Sequence, residues 1–167
     1  EVVPLGLDLG RFARAHPGTT SGLRAALGLA PGTPLLGSVG RLVPIKDHPT
    51  LFRAVAQLGA DGEAAHLVVV GDGEDRPALA RLAQALGVSA RVHFLGWRTD
   101  LETILNELDV VICSSRNEGT PVALIEAMAA GVAVLSTEVG GVADLVTHGE
   151  PGRLVPQRDP SAMAGAI

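Results

Sequence analysis

"DVVICSSRNEGTPVALIEAMAAGVAVLST", residues Asp109–Thr137, is the stretch that decides the fold. "DVVICS" (Asp109–Ser114) is a short apolar run, the signature of a strand. "PVALIEAMAAG" (Pro121–Gly131) is rich in Ala and Leu and predicts a helix, with Thr120 as N-cap and Pro121 at the first helical position. "VAVLST" (Val132–Thr137) is again an apolar run. Between strand and helix lies a polar, glycine-bearing turn. Two glutamates frame the helix start eight positions apart: Glu118 in the turn, and Glu126 inside an otherwise apolar helix.

The same rhythm repeats along the chain at about 25-residue intervals. "TPLLGSVG" (Thr33–Gly40), "AHLVVVG" (Ala65–Gly71), "ARVHFLG" (Ala90–Gly96) and "GRLVP" (Gly152–Pro156) are further strands. "SGLRAALG" (Ser21–Gly28), His48–Gly59, Glu74–Gly87, Thr99–Leu108, "GVADLV" (Gly141–Val146) and "SAMAGAI" (Ser161–Ile167) are helices, the fourth of these capped by Thr99 or Asp100. The strands are continuous apolar runs, which a parallel sheet covered on both faces requires. The expectation is a Rossmann-like, doubly wound α/β domain of six strands in order 3-2-1-4-5-6. Right-handed crossovers would then bring together the loops after the first and fourth strands, Gly40–Lys46 and Ser114–Thr120.

Composition narrows the function. The 167 residues suit one domain, with residues 1–32 as a Gly/Pro-rich leading segment. The net charge is −5, and the aromatics are Trp97 and three phenylalanines, so no basic stripe or stacking platform points to nucleic acid. The single cysteine, Cys113, reads as a strand residue, and its solitude fits a reducing, cytoplasmic setting. No apolar run approaches the roughly 20 residues of a membrane span. The N-terminal stretch "EVVPLGLDLG" does not read as a signal peptide, and both ends read as cut from a longer gene product.

His16, His48, His66, His93 and His148 are scattered, without metal-ligand spacing, so no metal is expected. There is no GxSxG elbow and no GxxxxGK[ST] loop, and "GSVG" is GxxG only. The glycine-bearing loops are left. In "GRLVPIKDH" (Gly40–His48), Gly40 allows close backbone approach, and Arg41 and Lys46 suit a diphosphate; the alternative is a charged loop rim. His48 reads as a helix-start residue. The helix start at Gly119, Thr120, Pro121 and Val122 offers amides to an anion. Glu118, just outside, suits neutral hydroxyls. Glu126 lies about 8 Å deeper along the axis and must be partnered or open to a cleft, where it fits a vicinal diol; the alternative is a surface glutamate. Gly71 and Gly73 mark either a tight turn capped by Asp72 or Asp75, or a cleft wall. Trp97 and Arg98 are candidates to flank a base.

Taken in order, these stretches resemble the C-terminal, donor-binding domain of GT-B glycosyltransferases of the retaining family 4. The resemblance runs from "VVPLGLDLGRF" (Val2–Phe12), where Leu5 replaces a common Asn, through "GRLVPIKDH", "GDG", "FLG" and the E-x7-E motif Glu118–Glu126. It ends with "VGGVADLV" (Val139–Val146) and "GRLVPQRDP" (Gly152–Pro160). It implies a nucleotide-sugar donor, UDP-, GDP- or ADP-linked, bound without a cofactor or a metal. Arg41 and Lys46 would hold the diphosphate, Glu118 the transferred sugar, Glu126 the ribose, and Trp97 and Arg98 the base. It also implies an N-terminal domain holding the acceptor and any peripheral membrane contact, without which the chain would turn over little. The rivals are an epimerase-like or phosphorylase-like relative, the latter needing a lysine-linked cofactor, and a non-catalytic Rossmann-like module.

Overall fold

The computed structural model describes residues 6–13, 22–58, 65–146 and 152–167. Residues Val2 to Leu5 of the leading motif, His16, Ser21, Gly59 and His148 lie outside the described residues. The elements in chain order are α1 (Leu23–Ala26), β1 (Leu35–Val39), α2 (His48–Gln57), β2 (His66–Val70), α3 (Arg76–Ala85), β3 (Val92–Gly96) and α4 (Leu101–Leu105). They continue with β4 (Val110–Cys113), α5 (Val122–Ala129), β5 (Ala133–Thr137), α6 (Val142–Leu145), β6 (Gly152–Val155) and α7 (Pro160–Ala166). The strands form one six-stranded sheet in the expected order, β3-β2-β1-β4-β5-β6, and every pair within it is parallel.

The strand composition explains why both faces are covered. Successive residues of each strand point to opposite faces, yet both sets are apolar. Leu35, Val68, Val111 and Val134 enter one core, shared with Leu105 of α4, Leu124 and Ala127 of α5 and Val142 of α6. Leu36, Leu67, Val69, Ile112 and Leu135 enter the other, with Leu51, Phe52 and Val55 of α2, Leu79 of α3 and Met163 of α7. In α2 the buried Leu51, Phe52, Ala54 and Val55 form one stripe, while Arg53 and Gln57 are exposed. No helix among the described residues is long and apolar enough to cross a membrane.

The leading segment is tied down by charge as well as by packing. Glu107 is 7 % exposed, and its carboxylate accepts the Leu23 and Arg24 amides at 3.0 and 2.8 Å, serving the first turn of α1 from a distant part of the chain. Phe12 closes a 3-10 turn (Gly10–Phe12) and is buried in the α5-side core.

Two helix starts differ from expectation. Thr120 is not the cap of α5: Pro121 occupies the N-cap position, and no side chain caps it. The proline ring fixes the backbone there, and the Val122 amide turns back onto the Thr120 carbonyl at 2.9 Å. At α4, Asp100 holds the cap position without capping. Its carboxylate is taken by Arg98 at 2.8 and 2.6 Å, a charge-assisted pair that outcompetes a backbone amide.

Beyond the strand ends, the loops after β1 and β2 continue in register: Gly40 N–H donates to Val70 and Leu42 N–H to Asp72, both at 2.9 Å. The contact is close enough that a Cβ on Gly71 would lie 2.0 Å from the Gly40 carbonyl oxygen, and Gly71 has φ +127°. Gly71→Ala is therefore expected to lower the unfolding free energy by about 2 to 4 kcal/mol, from strained backbone and overpacking together. Urea denaturation measures it; a loss below about 0.5 kcal/mol, the ordinary surface-substitution range, would show that the two loops separate freely.

Candidate functional site

The parallel pairing of β1 with β4, Leu36 beside Val110 and Gly37 beside Val111, sends both chains out of the same sheet edge. Their loops are then laced together. Arg116 N–H donates to the Ile45 carbonyl at 2.8 Å, its guanidinium bonds the Pro44 carbonyl, and Ser114 Oγ donates to the Lys46 carbonyl at 2.8 Å. A cavity of about 330 Å³ opens between them. Of the residues singled out in the sequence, Gly40, Arg41, Lys46, Glu118, Thr120, Pro121, Val122 and Glu126 all line it.

Its centre is an ion pair. Lys46 Nζ lies 2.5 Å from Glu118 Oε1. Ser115 Oγ donates to the same oxygen at 2.6 Å, and the Cys113 thiol reaches it at 3.5 Å. Glu118 Oε2 has no partner among the described residues. Burial alone would raise the Glu118 carboxyl, but the hydrogen bonds from Lys46 and Ser115 and the lysine charge outweigh it and hold the group below the ordinary glutamate value. Glu126 goes the other way: burial pushes it up, and Arg11, with Nη2 at 3.8 Å, only partly offsets this. Its side chain is 14 % exposed, so the reading as a surface glutamate falls. Arg41 is exposed and has no ion-pair partner among the described residues.

The helix start is narrower as an anion site than expected. The Val122 amide is already bonded to Thr120, and the Leu124 and Ile125 amides to the Pro121 carbonyl. Among the described residues the amides of Gly119, Thr120 and Ala123 are without partners. Gly119 itself meets nothing within 4 Å on its Cβ side, yet its carbonyl and that of Glu118 are the walls against which the next loop packs. A Cβ on Gly140 would stand 2.0 Å from the Glu118 oxygen, and one on Gly141 2.1 Å from the Gly119 oxygen. The Gly141 amide donates to Glu118 at 3.0 Å. The two glycines after β5 thus support the Glu118 turn from behind rather than facing the cavity.

Gly71, Trp97 and Arg98 do not line the cavity. Gly71 serves the loop contact described above, Asp72 accepts the Gly73 amide at 2.8 Å, and the turn follows from Gly73, whose carbonyl accepts the Arg76 amide at 3.1 Å. Trp97 is 77 % exposed, and Arg98 is held by Asp100.

Sequence reasoning passed over several cavity residues. Ser115, three positions before Glu118, left a weak signal as a polar residue just past a strand. Arg116, which laces the two loops together without lining the cavity, left none, because its partners Pro44 and Ile45 are distant in sequence. Cys113 is only partly buried and lines the cavity; burial pushes its thiol up, so it is protonated and no nucleophile. His48 does open α2 as expected, but it is 3 % exposed and also lines the cavity. Burial, and then the nearby Lys46, lower it from 6.5 to about 4, so it is neutral at pH 7. Among the described residues no group of three or more His, Cys, Asp or Glu is placed to hold a metal ion. His66 Nδ1 and His93 Nε2 meet at 2.9 Å, but bond each other.

A parallel α/β sheet with a cleft at the β1/β4 switch point, lined by Arg41, Lys46, Glu118 and Glu126, is a doubly wound domain with its cavity where that class of fold binds ligands. Comparison with known proteins specifies it. The family model described as "Glycosyl transferases group 1" matches residues 33–167. The chain is 39 % identical over 176 aligned residues to D-inositol 3-phosphate glycosyltransferase of Nocardia farcinica, covering 100 % of this chain and 38 % of that protein. It is 38 % identical over 144 residues to the lipopolysaccharide core biosynthesis glycosyltransferase LpsE of Rhizobium meliloti, covering 86 % of this chain and 41 % of that one. The crystal structure of Anabaena HepE in complex with UDP-glucose superposes with a TM-score of 0.87 at 30 % identity, over 96 % of this chain and 44 % of that one. The chain belongs to the group 1 glycosyl transferases, with the architecture of their C-terminal GT-B domain. It spans well under half the length of either curated relative.

The buried neutral histidine gives a test of the site's packing. Its folded pKa lies below its unfolded value, so its contribution is fully present above pH 6.5 and is lost as pH falls towards 4. The depressed Glu118 works in the same direction at lower pH, and the raised Glu126 opposes it. His48 is expected to account for about 3 kcal/mol of stability lost between those limits. His48→Gln should flatten the pH dependence of urea unfolding by that amount; an unchanged slope would mean that His48 protonates freely in the folded chain.

Proposed function

We propose that this domain binds the nucleotide-sugar donor of a retaining glycosyltransferase, which moves a hexose-type sugar from a nucleoside diphosphate to an acceptor hydroxyl. The observation that carries the reading is the convergence of Arg41, Lys46, the start of α5 at Thr120, whose amide has no partner among the described residues, and both glutamates on one cavity. The UDP and UDP-glucose complexes of Anabaena HepE, similar over 96 % of this chain, support the same ligand class.

In this reading the diphosphate lies between the Lys46 loop and the start of α5. It competes with Glu118 for Lys46 and recruits Arg41, which has no ion-pair partner among the described residues to give up. The Glu118 oxygens then accept hydroxyls of the transferred sugar, with Oε2 already free. Glu126, one and a half turns further along the helix, takes the ribose diol. The base extends towards Trp97 and Arg98, outside the cavity. The bond from the anomeric carbon to phosphate breaks, the glycosidic bond forms on the same face, and the acceptor's proton passes to the departing diphosphate. Arg41, Lys46 and the helix start stabilise the charge growing on that leaving group, without a metal. A second domain holds the acceptor, so this chain alone binds donor and transfers little.

Calorimetric titration with UDP, GDP, ADP and their glucose conjugates, with and without EDTA, tests this. At least one nucleotide should bind, indifferent to EDTA. Arg41→Ala and Lys46→Met should each weaken it about tenfold or more, the range for hydrogen bonds to charged groups. Binding that ignores both substitutions would favour an epimerase-like domain or a non-catalytic module.

A further inference from the structure

Each glutamate of the cavity is attended by its own cation. Lys46 holds Glu118 from the β1–α2 loop. Glu126 is approached by Arg11, from the leading segment more than a hundred residues away in sequence, with Nη2 at 3.8 Å from Oε1. Arg11 is itself fixed: its Cζ lies 4.6 Å from the centroid of the Phe12 ring, and Phe12 is 2 % exposed in the core shared with Leu124 and Ala127 of α5. The 3-10 turn carrying Arg11 packs directly on that helix. At 3.8 Å the contact is too long for a direct hydrogen bond, so it orients the carboxylate without occupying its lone pairs. No other cation among the described residues lies within ion-pair distance of Glu126.

We propose that Arg11 is a positioning residue for ribose recognition: it keeps the Glu126 carboxylate charged and turned into the donor cavity so that it can accept both hydroxyls of a ribose diol. This rests on the donor-site reading above. The physical need is plain. A carboxylate on an apolar helix, in a cleft that dries further when a ligand enters, tends to take up a proton, and a protonated carboxyl loses acceptor capacity. The other titratable groups lining the same cavity are Arg41, Lys46, His48, Cys113 and Glu118. Lys46 is committed to Glu118, and His48 and Cys113 are neutral at pH 7. Arg11 therefore supplies a local counter-charge without filling the site.

The test uses whichever of UDP, GDP and ADP the chain binds most tightly, together with its 2′-deoxy analogue, titrated from pH 4.5 to 8. Glu126→Gln should weaken the ribonucleotide and bring it down to the deoxy analogue. Arg11→Gln should weaken the ribonucleotide by about three- to fivefold and leave the deoxy analogue unchanged, as befits a partly exposed ion pair. Affinity is lost as pH falls through the Glu126 pKa, so removing Arg11 should move that loss to higher pH. Arg11→Lys should restore part of both effects. Equal weakening of ribo and deoxy ligands by Arg11→Gln, or no change at any pH while Glu126→Gln still matters, would overturn the proposal and leave the donor site standing. Indifference to Glu126→Gln, or no binding by any of the three nucleotides, would overturn the ribose reading and this inference with it.

Discussion

The parallel pairing of β1 with β4 is the constraint on which the rest depends. It involves only Leu36–Val110 and Gly37–Val111, yet it joins strands separated in sequence by two strand–helix units. Gly37 is built for this position: a Cβ there would fall 2.2 Å from Leu108 Cδ1, at the approach to β4. Once the two strands lie side by side, their outgoing loops must share the sheet edge. One brings Lys46 and the other Glu118. Without that adjacency the lysine is a charge on a loop and the glutamate a polar residue in a turn.

The site so formed is held in tension by burial and charge. Taking a carboxylate out of water favours its protonated form, and Glu118 resists because a lysine, a serine and a thiol converge on one oxygen. Glu126 has only a distant guanidinium and drifts upward. Two carboxylates eight residues apart therefore have opposite electrostatic habits. The same lysine that depresses Glu118 also helps keep His48 neutral, after burial. The glycines at 140 and 141 make the arrangement stiff rather than merely roomy, since they let the β5 loop rest against the Glu118 turn.

The family model matches residues 33–167 and so contains the Lys46 loop, Glu118 and Glu126. The contact between Arg11 and Glu126 involves a segment ahead of that span. It is fixed by the burial of Phe12 against α5.

The strand order, the helix positions and the pairing of the Lys46 and Glu118 loops were all legible in the sequence, because a doubly covered parallel sheet leaves its mark in every strand as an unbroken apolar run. Glycine and proline then punctuate the loops that must leave the sheet. Local rivalries were not legible. Thr120 reads as a cap, but Pro121 fixes the backbone before the threonine can serve. Asp100 reads as a cap, but Arg98 claims it. Gly71 reads as part of either a tight turn or a cleft wall, and the Gly40 carbonyl sits where its side chain would be. The sequence by itself determined the architecture and the edge of the sheet where chemistry would gather, since periodicity and handedness act over short spans of chain. Only the tertiary structure decided which charges meet there, that Lys46 takes Glu118, Arg11 approaches Glu126 and Glu107 turns back to α1, because those choices depend on distances of a few ångströms between residues that the chain itself keeps far apart.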